Sequence, residues 1–455
     1  MQENIMAVKP IKSLMLKMGI PFIISLVVQG LYNIIDSAFV SNMAINGEEG
    51  VNALALAFPI QTLFIAFGVG TGIGGNALLS KFLGMKKPDA AAKVAGNLQI
   101  LGIPLFIIFI LFGIFGAEPY ILSQSSNPTI IALGTDYLFV SCIFSIGLVY
   151  FGIYEKMLQA TGHPFCTMIS QLIGAVINII LDPIMIYGLL GFPELGVRGA
   201  AIASVIGQIV SALLVCIFYY KKTKEIDKSI KNYRPDAQTI KGIYKIGGPA
   251  ILMQAMASFM TYGLNIIFVT VGESVVTAFG IFFKIQQMIM FGIYGLRDAI
   301  TPIVSFNHGA GNRRRILDGV KYGILYSVAI AVIGAAVCEI FAEPITGLFG
   351  LSGVTFSYCV SALRVISISF MFAAVSLALQ GVFQALNSGV PSLVVTLLRQ
   401  LILVLPIAFA FSTVAAKDTS LIWLLWLTFI IAEVVTSIVA ILMFLRLKKK
   451  EIDIS

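Results

Sequence analysis

Long apolar runs, each about twenty residues or more, recur along almost the whole chain. A run of this length matches a helix that crosses the hydrocarbon core of a bilayer, and short segments rich in glycine, proline or charge separate the runs. The pattern predicts an all-α polytopic membrane protein with twelve transmembrane helices. The predicted spans are 13–41, 51–79, 92–116, 129–155, 165–187, 196–219, 242–270, 276–305, 316–341, 353–383, 391–411 and 420–446.

The charges in the connectors alternate in sign along the chain. Connectors after odd-numbered spans carry acidic residues such as Glu48 and Glu118, whereas those after even-numbered spans carry basic residues such as Lys86 and Arg314. The C-terminal segment after the last span is basic as well. Because basic connectors remain on the cytoplasmic side of a bilayer, the pattern predicts that both termini lie in the cytoplasm.

The composition supports a membrane protein and argues against several other classes. Of 455 residues, 58% are hydrophobic and 11% are charged, with a mean hydropathy of +0.96, whereas a soluble domain carries about 25% charged residues. The net charge of +8 comes largely from the basic connectors and does not indicate nucleic-acid binding. The five cysteines and two histidines show no zinc-binding or disulfide spacing, and the first apolar run is expected to be an uncleaved helix.

The two halves of the chain resemble each other. The longest polar connector, 221–241, divides them, and Pro21 in KMGIPF matches Pro249 in KIGGPA. Further matches in the same order pair Gln61 with Gln286, SKFLG at 80–84 with SFNHG at 305–309, and LQATGHPF at 158–165 with FQALNSGVPS at 383–392. We predict two pseudo-symmetric six-helix lobes, 1–220 and 242–455, joined by a cytoplasmic linker at 221–241. Both halves enter the membrane from the same side, so the repeats are parallel.

Asp36 in QGLYNIIDSAFV and Asp182 in INIILDPIMIYG lie inside predicted spans. A carboxylate at membrane depth costs about 2.5–3.5 kcal/mol on insertion scales, so it faces a cavity or a partner and usually has a function. Asn178 lies one turn before Asp182 on the same helix face. Two carboxylates in one pocket can take up a proton near neutral pH or hold Na⁺. The pattern therefore predicts a cation or proton site, with a structural role in a helix break as the alternative for either aspartate.

These motifs resemble those of the multidrug and toxic compound extrusion (MATE) transporters, over about residues 12–446. The shared features are the Gly-x-Pro opening of span 1, the aspartate late in that span, Gln-Ala-x-Gly at 159–162, Asn-x-x-x-Asp-Pro at 178–183 and Gly-x-x-Gly-Ala-Ala at 196–201. The chain is most similar to the DinF-like branch. The NorM-like branch carries acidic cation ligands in spans 7 and 10, where this chain has none.

The resemblance implies a cation site in the N-terminal lobe, holding H⁺ or Na⁺. Its residues would be Asp36, Asn178, Asp182 and Ser204, with Tyr32 and Gln29 as polar positions lining the same pocket. For the organic substrate, flexible methionine thioethers suit ligands of varied shape, although packing is the commoner role. Glutamines in spans equally form hydrogen bonds between helices, without a role in substrate binding. The predicted substrate-binding residues are Gln29, Tyr32, Gln61, Met253, Met256 and Gln286.

The resemblance also implies the activity. It is that of an antiporter in a prokaryotic plasma membrane, which exports amphipathic, often cationic, organic compounds by alternating access as H⁺ or Na⁺ enters. We expect no cofactor beyond the coupling ion, and a monomer surrounded by membrane lipid. The alternative is a flippase of the same superfamily for lipid-linked saccharides or pyrophosphates, whose cavity would be basic; Lys284, Arg364 and Arg399 are the candidates for such a lining. An enzyme is not expected, because no HExxH, nucleophile-elbow or P-loop motif occurs in the sequence.

Overall fold

A computed structural model of the protein describes residues 4–453, and the regular secondary structure over this range is helical. We number the spans α1 to α12 and divide two of them into segments a and b. They are α1 Ile11–Ser41, α2 Gly47–Gly84, α3 Pro88–Phe115, α4a Pro128–Ile143, α4b Ile146–Ala160, α5 Pro164–Ile186, α6 Gly196–Lys222, α7 Ala237–Val269, α8 Glu273–Gly309, α9 Arg313–Gly347, α10a Gly353–Ser367, α10b Phe370–Ala385, α11 Gly389–Ala415 and α12 Trp423–Glu451. Short helices cover Ile5–Val8 before α1 and Ala117–Leu122 after α3.

The number of spans agrees with the sequence prediction. Within residues 4–453, ten helices are individually long and apolar enough to cross a membrane, and the two bent pairs bring the total to twelve. The predicted all-α polytopic fold is therefore confirmed. The orientation with both termini in the cytoplasm stays a prediction.

Spans 4 and 10 are broken, which the sequence did not indicate. The segments of α4 meet at 48° and those of α10 at 52°. A serine lies at each break, and the backbone nitrogens of Ser145 and Ser369 donate to carbonyls only three residues earlier, which is the tighter 3₁₀ pattern. Neither break contains a proline and both runs remain apolar, so hydrophobic periodicity alone predicts one continuous helix at each place.

The contacts group the chain into two compact units. The first, here the N-unit, is Ile24–Ile251, and the second, the C-unit, combines Met1–Ile23 with Leu252–Ser455. The boundaries fall inside α1 and α7, in each case two residues after the matched proline, Pro21 or Pro249. The C-unit therefore includes the start of α1, and the N-unit includes the start of α7. The division into lobes at the 221–241 linker stays a prediction drawn from the sequence.

Equivalent hydrogen bonds recur within the two units. In the N-unit, the side-chain nitrogen of Asn76 donates to the carbonyl of Lys156 at 3.0 Å. In the C-unit, the hydroxyl of Thr301 donates to the carbonyl of Gly381 at 3.3 Å. Both members of the second pair lie 225 positions after those of the first. The internal repeat predicted from short sequence matches thus extends to individual contacts between the second and fourth helices of each half.

A candidate cation site in the N-unit

Asp36 and Asp182 are both buried inside the N-unit. Asp36 on α1 is 5% exposed and Asp182 on α5 is fully buried, and the charges of the two carboxylates interact. Pro183 follows Asp182 without ending the helix; since proline has no backbone N–H, one carbonyl in the preceding turn loses its helical donor. An ionised carboxylate at such a depth needs a proton, a cation or strong donors.

Asn178 joins the two helices that form most of the site. Its side-chain nitrogen donates to Oδ1 of Asp182 at 3.1 Å, one turn further along α5, and to the hydroxyl oxygen of Ser204 on α6 at 3.3 Å. All three side chains are buried. The structure therefore brings together the residues that the sequence assigned to one cation site, with Asp36 contributed by α1.

Small residues allow α5 and α6 to cross closely beside Asn178. A Cβ atom added to Gly207 would lie 2.7 Å from the carbonyl oxygen of Gly174 and 3.1 Å from Cβ of Asn178. Next to this crossing, the hydroxyl of Ser211 donates to the carbonyl of Ser170 at 3.0 Å. Glycine and serine are the residues that let membrane helices approach at backbone distance, and this approach places Ser204 within reach of Asn178.

Three oxygen atoms of the site are buried without a hydrogen-bond partner. They are Oδ1 of Asp36, Oδ1 of Asn178 and Oδ2 of Asp182. Buried polar atoms are rarely left unpaired, and a group of oxygen acceptors is the chemistry that takes up a proton or holds Na⁺. The residues present thus suit either predicted coupling ion. Among residues 4–453, no group of three or more His, Cys, Asp or Glu side chains is arranged to hold a metal ion.

Tyr137 on α4a belongs to this site although the sequence analysis did not single it out. The side chain is buried, and its hydroxyl oxygen accepts a hydrogen bond from Nε2 of Gln61 on α2 at 3.1 Å. It also interacts with the charges of Asp36 and Asp182. Because Gln61 is the donor, the tyrosine keeps its own hydroxyl hydrogen for an acceptor. No sequence signal could have identified it, since it is one of fifteen tyrosines and stands in no recognisable motif.

Tyr32 and Gln29 lie half-buried on α1, before Asp36. Tyr32 interacts with Asp36, one turn later, and with Gln208 on α6. Gln208 is a second residue that the sequence analysis missed; it lies one turn after Ser204, so helical spacing from Ser204 would have suggested it. The assignment of Gln29, Tyr32 and Gln61 to substrate binding stays a prediction.

The last turn of α1 is hydrogen-bonded to the residue that follows α5. The hydroxyl of Tyr187 donates to the carbonyl of Phe39 at 2.7 Å, and the two rings meet edge to face at 6.3 Å. Phe39 follows Asp36 by three residues and Tyr187 follows Asp182 by five. The contact therefore holds the two helices that carry the carboxylates at a fixed spacing.

The remaining predicted substrate residues lie in the C-unit. Met253 and Met256 on α7 and Gln286 on α8 are half-buried there, and their role stays a prediction. The three basic candidates differ in environment. Lys284 is exposed, Arg364 forms an exposed ion pair with Glu343 at 3.1 Å, and Arg399 forms a buried ion pair with Glu433 at 2.6 Å.

The pair of Arg399 and Glu433 shows that the C-unit does contain a buried carboxylate, on α12 rather than on α7 or α10. Arg399 lies in a π-helical segment of α11, Leu398–Ile402, and its Nε and Nη2 atoms both donate to Oε1 of Glu433. The guanidinium of Arg399 neutralises this acid, whereas neither Asp36 nor Asp182 forms an ion pair with any residue in the range 4–453. The buried acid of the C-unit is therefore paired with a base, and the two buried acids of the cation site are not.

Comparison with known proteins agrees with this architecture. A family model described as MatE matches residues 21–184 and 249–410. The multidrug export protein MepA of Staphylococcus aureus (strain NCTC 8325 / PS 47) is 26% identical over 441 residues, covering 97% of this chain and 95% of the relative. The two matched segments begin at Pro21 and Pro249, the first pair of residues aligned in the sequence repeat. Assignment to the DinF-like branch stays a prediction.

Solved structures share the fold over the whole chain. One, described as the outward-facing conformation of a multidrug resistance MATE family transporter of the MOP superfamily, has a TM-score of 0.91 at 24% identity and covers 100% of this chain and 99% of its own. Another, a MATE protein in the bent conformation, has a TM-score of 0.89 at 25% identity, with 97% of each chain covered. These structures therefore confirm the predicted twelve-helix fold in two six-helix halves.

Proposed function

Because the chain belongs to the MatE family, whose model matches more than half of its length, we propose that it is a cation-coupled antiporter that exports amphipathic organic compounds. The protein is a multi-span protein of a prokaryotic plasma membrane, as its bacterial relatives and its spans indicate. H⁺ or Na⁺ would be the coupling ion. The relatives are named for multidrug export, and the same broad substrate class is proposed here, with cationic compounds favoured by the buried carboxylates of Asp36 and Asp182.

The observation that carries the proposal is the set of three unpaired oxygens on Asp36, Asn178 and Asp182. A structural acid in a buried site is normally neutralised by a basic partner, as Glu433 is by Arg399 although its Oε2 has no hydrogen-bond partner among the described residues. The oxygens on Asp36, Asn178 and Asp182 lie together with no ion pair to a basic side chain within residues 4–453, which favours a cation that binds and is released. A proton or a Na⁺ ion is small enough to reach them and supplies the missing positive charge.

Coupling follows from the position of these oxygens on separate helices. Asp36 is on α1, and Asn178 with Asp182 is on α5. A cation held by oxygens from both helices stabilises the arrangement in which they are close, and its loss leaves two carboxylates that repel each other. Ion binding then biases the protein between two states, which is what coupled exchange requires, since a ligand with equal affinity for both states shifts neither.

The flippase alternative would need a basic cavity for an anionic lipid-linked ligand. Two of its three candidate side chains, Arg364 and Arg399, are engaged in ion pairs with glutamates. Their charge is therefore partly neutralised, and the antiporter is the better supported of the two functions.

The test is uptake of a lipophilic cationic dye into proteoliposomes under an imposed proton or Na⁺ gradient. Asp36→Asn should abolish uptake driven by the coupling gradient, whereas Asp136→Asn, which changes an exposed aspartate on α4a, should not. Gradient-driven uptake that persists in Asp36→Asn would show that Asp36 has only a structural role. Absence of dye movement in the wild type under both gradients would favour the flippase instead.

A further inference from the structure

The segment just before α1 is hydrogen-bonded to one arginine of the C-unit. Arg315, in the first turn of α9, donates from Nη2 to the carbonyls of Met6 at 2.8 Å and Lys9 at 2.7 Å. Its Nε donates to Oδ1 of Asn307 at 2.9 Å. Nδ2 of Asn307, near the end of α8, donates to the same Met6 carbonyl at 3.4 Å. Arg315 and Asn307 together thus hold the backbone of residues 6–9.

Local structure prepares Arg315 for this role. Asn312 caps α9, its side-chain oxygen accepting from the backbone nitrogen of Arg315 at 3.1 Å, so the first turn of the helix is fixed. The planar guanidinium can donate in several directions at once, which a lysine ammonium on a flexible stem does less well. Of the two preceding arginines, Arg313 pairs with Asp453 at 2.8 Å and Arg314 is exposed. The three arginines therefore have three different environments.

Apolar packing and a glycine contact hold the segment after this clamp. Met6, Leu14, Met15 and Met18 are fully buried in the C-unit. A Cβ atom on Gly295 of α8 would lie 2.7 Å from the backbone nitrogen of Ile23, so α1 and α8 touch at backbone distance here. Arg315 thus holds the residues just before α1, and Gly295 contacts Ile23, the last residue of α1 that belongs to the C-unit.

The N-unit holds the start of α7 in an equivalent way with different side chains. On α3, Oδ1 of Asn97 accepts from the backbone nitrogen of Asp236 at 2.8 Å, and its Nδ2 donates to the carbonyl of Arg234 at 3.3 Å. A Cβ atom on Gly70 of α2 would lie 2.9 Å from the backbone nitrogen of Ile251. Helix α3 is the third of its half, as α9 is, and Gly70 precedes Gly295 by 225 positions. In each unit, the third helix of one half thus holds the backbone before the first helix of the other half, and a glycine of the second helix contacts that first helix further along.

We propose that Arg315, supported by Asn307, is a positioning residue for cation coupling, because it anchors the start of the helix whose later part carries Asp36. Helix α1 is continuous from Ile11 to Ser41, and only its first thirteen residues belong to the C-unit. With the start fixed, a change of cation at Asp36 can move only the later part of α1. Without the anchor, the whole helix can shift, and ion occupancy no longer selects between two defined states.

This inference rests on the proposed function, and one experiment separates the two. Wild type, Arg315→Ala, Arg315→Lys and the control Arg314→Ala are reconstituted as full chains. Amide hydrogen exchange is followed over residues 5–14, and dye binding and gradient-driven dye uptake are measured on the same preparations. Arg315→Ala should speed exchange of residues 5–14 about ten-fold, the factor expected for loss of a charge-assisted hydrogen bond.

The transport results should separate positioning from folding. Arg315→Ala should bind dye with a Kd within about three-fold of wild type while uptake falls about ten-fold, the pattern of lost coupling rather than lost binding. Arg315→Lys keeps the positive charge but loses the planar guanidinium, so its uptake should lie between that of wild type and Arg315→Ala. This variant still tests the inference if the alanine variant does not fold. Arg314→Ala should match wild type throughout.

Two results would overturn the inference while leaving the proposed function standing. One is unchanged exchange of residues 5–14 in both Arg315 variants. The other is uptake by those variants equal to that of Arg314→Ala. A wild-type protein that takes up no dye under either gradient would overturn the proposed function, and the inference with it.

Discussion

The side-chain nitrogen of Asn178 lies 3.1 Å from Oδ1 of Asp182, which leaves Oδ2 as the unpaired oxygen of that carboxylate. The same nitrogen donates to Ser204, so one amide orients both its neighbours. Asn178 also contributes Oδ1 to the group of unpaired oxygens. It is therefore both a ligand candidate and the residue that orients the other ligands.

Replacing Asn178 should weaken ion coupling without preventing folding. Asn178→Ala removes one oxygen and two donated hydrogen bonds, and we expect the cation concentration for half-maximal uptake to rise about ten-fold. The measurement is dye uptake as a function of the imposed proton or Na⁺ concentration. Asn33→Ala, at an exposed asparagine on α1, is the control. An unchanged ion dependence in Asn178→Ala would exclude the residue from the site.

Tyr137→Phe should reduce gradient-driven uptake, because it removes the hydroxyl that interacts with the carboxylates and leaves Nε2 of Gln61 without its acceptor. We expect a loss of about five- to ten-fold, equivalent to about one hydrogen bond. Tyr262→Phe, at an exposed tyrosine on α7, should have no effect. Combining Tyr137→Phe with Gln61→Leu should cost less than the sum of the single changes, since each removes the same contact. Strictly additive losses would show that the two residues act separately.

Gly207→Ala should disturb the site by separating α5 from α6. The added Cβ would lie 2.7 Å from the Gly174 carbonyl oxygen, which cannot move without shifting the helix, and overpacking of this kind costs about 1–3 kcal/mol. We expect a lower thermal unfolding temperature in detergent together with weaker ion dependence of uptake. Gly280→Ala is the control, because nothing lies within 4 Å of its added Cβ. Equal stability of the two variants would contradict the close crossing.

Breaking the ion pair of the C-unit should be more harmful than removing it entirely. Arg399→Ala leaves Glu433 buried without its basic partner, and we expect a loss of about 3–5 kcal/mol in the free energy of unfolding. The double change Arg399→Met with Glu433→Met should lose less, because no charge remains buried. Thermal unfolding of the purified variants ranks the three proteins. A double variant less stable than Arg399→Ala would contradict this account.

The start of α7 should loosen in acid. The backbone nitrogen and the hydroxyl of Thr239 donate to Asp236, and these hydrogen bonds hold the pKa of that carboxyl below its ordinary value. A depressed pKa in the folded state means that the stabilisation is complete above the ordinary value of about 3.9. It is lost as the pH falls through the lower folded value. Amide protection at residues 237–241 should therefore fall below about pH 4.

The matched comparison for this prediction is Asp236→Asn. An asparagine can still accept the capping hydrogen bond but does not titrate, so its protection factors over the same residues should not change across that pH range. A wild-type protein whose protection also stays constant would show that Asp236 does not contribute to the start of α7.

The sequence alone identified the residues that interrupt an apolar run. An aspartate inside an apolar run is conspicuous, so Asp36 and Asp182 could be identified, and helical spacing added Asn178. Tyr137 could not be found, because its importance comes only from the helix that faces it. The breaks at Ser145 and Ser369 were invisible for a similar reason: they change the backbone path without changing hydropathy. The pairing of Arg399 with Glu433 depends on the packing of α11 against α12, which no local signal encodes.

The exchange of helix starts between the two units bears on how such a repeated chain can be divided. A fragment ending in the 221–241 linker would lack residues 242–251, which belong to the N-unit, and would carry residues 4–23 without the C-unit contacts that bury them. The complementary fragment would have the reverse defects. Although the sequence repeats itself, neither half therefore contains every residue of the unit that it mainly forms. Two separately made halves would each have to supply the start of its first helix to the other.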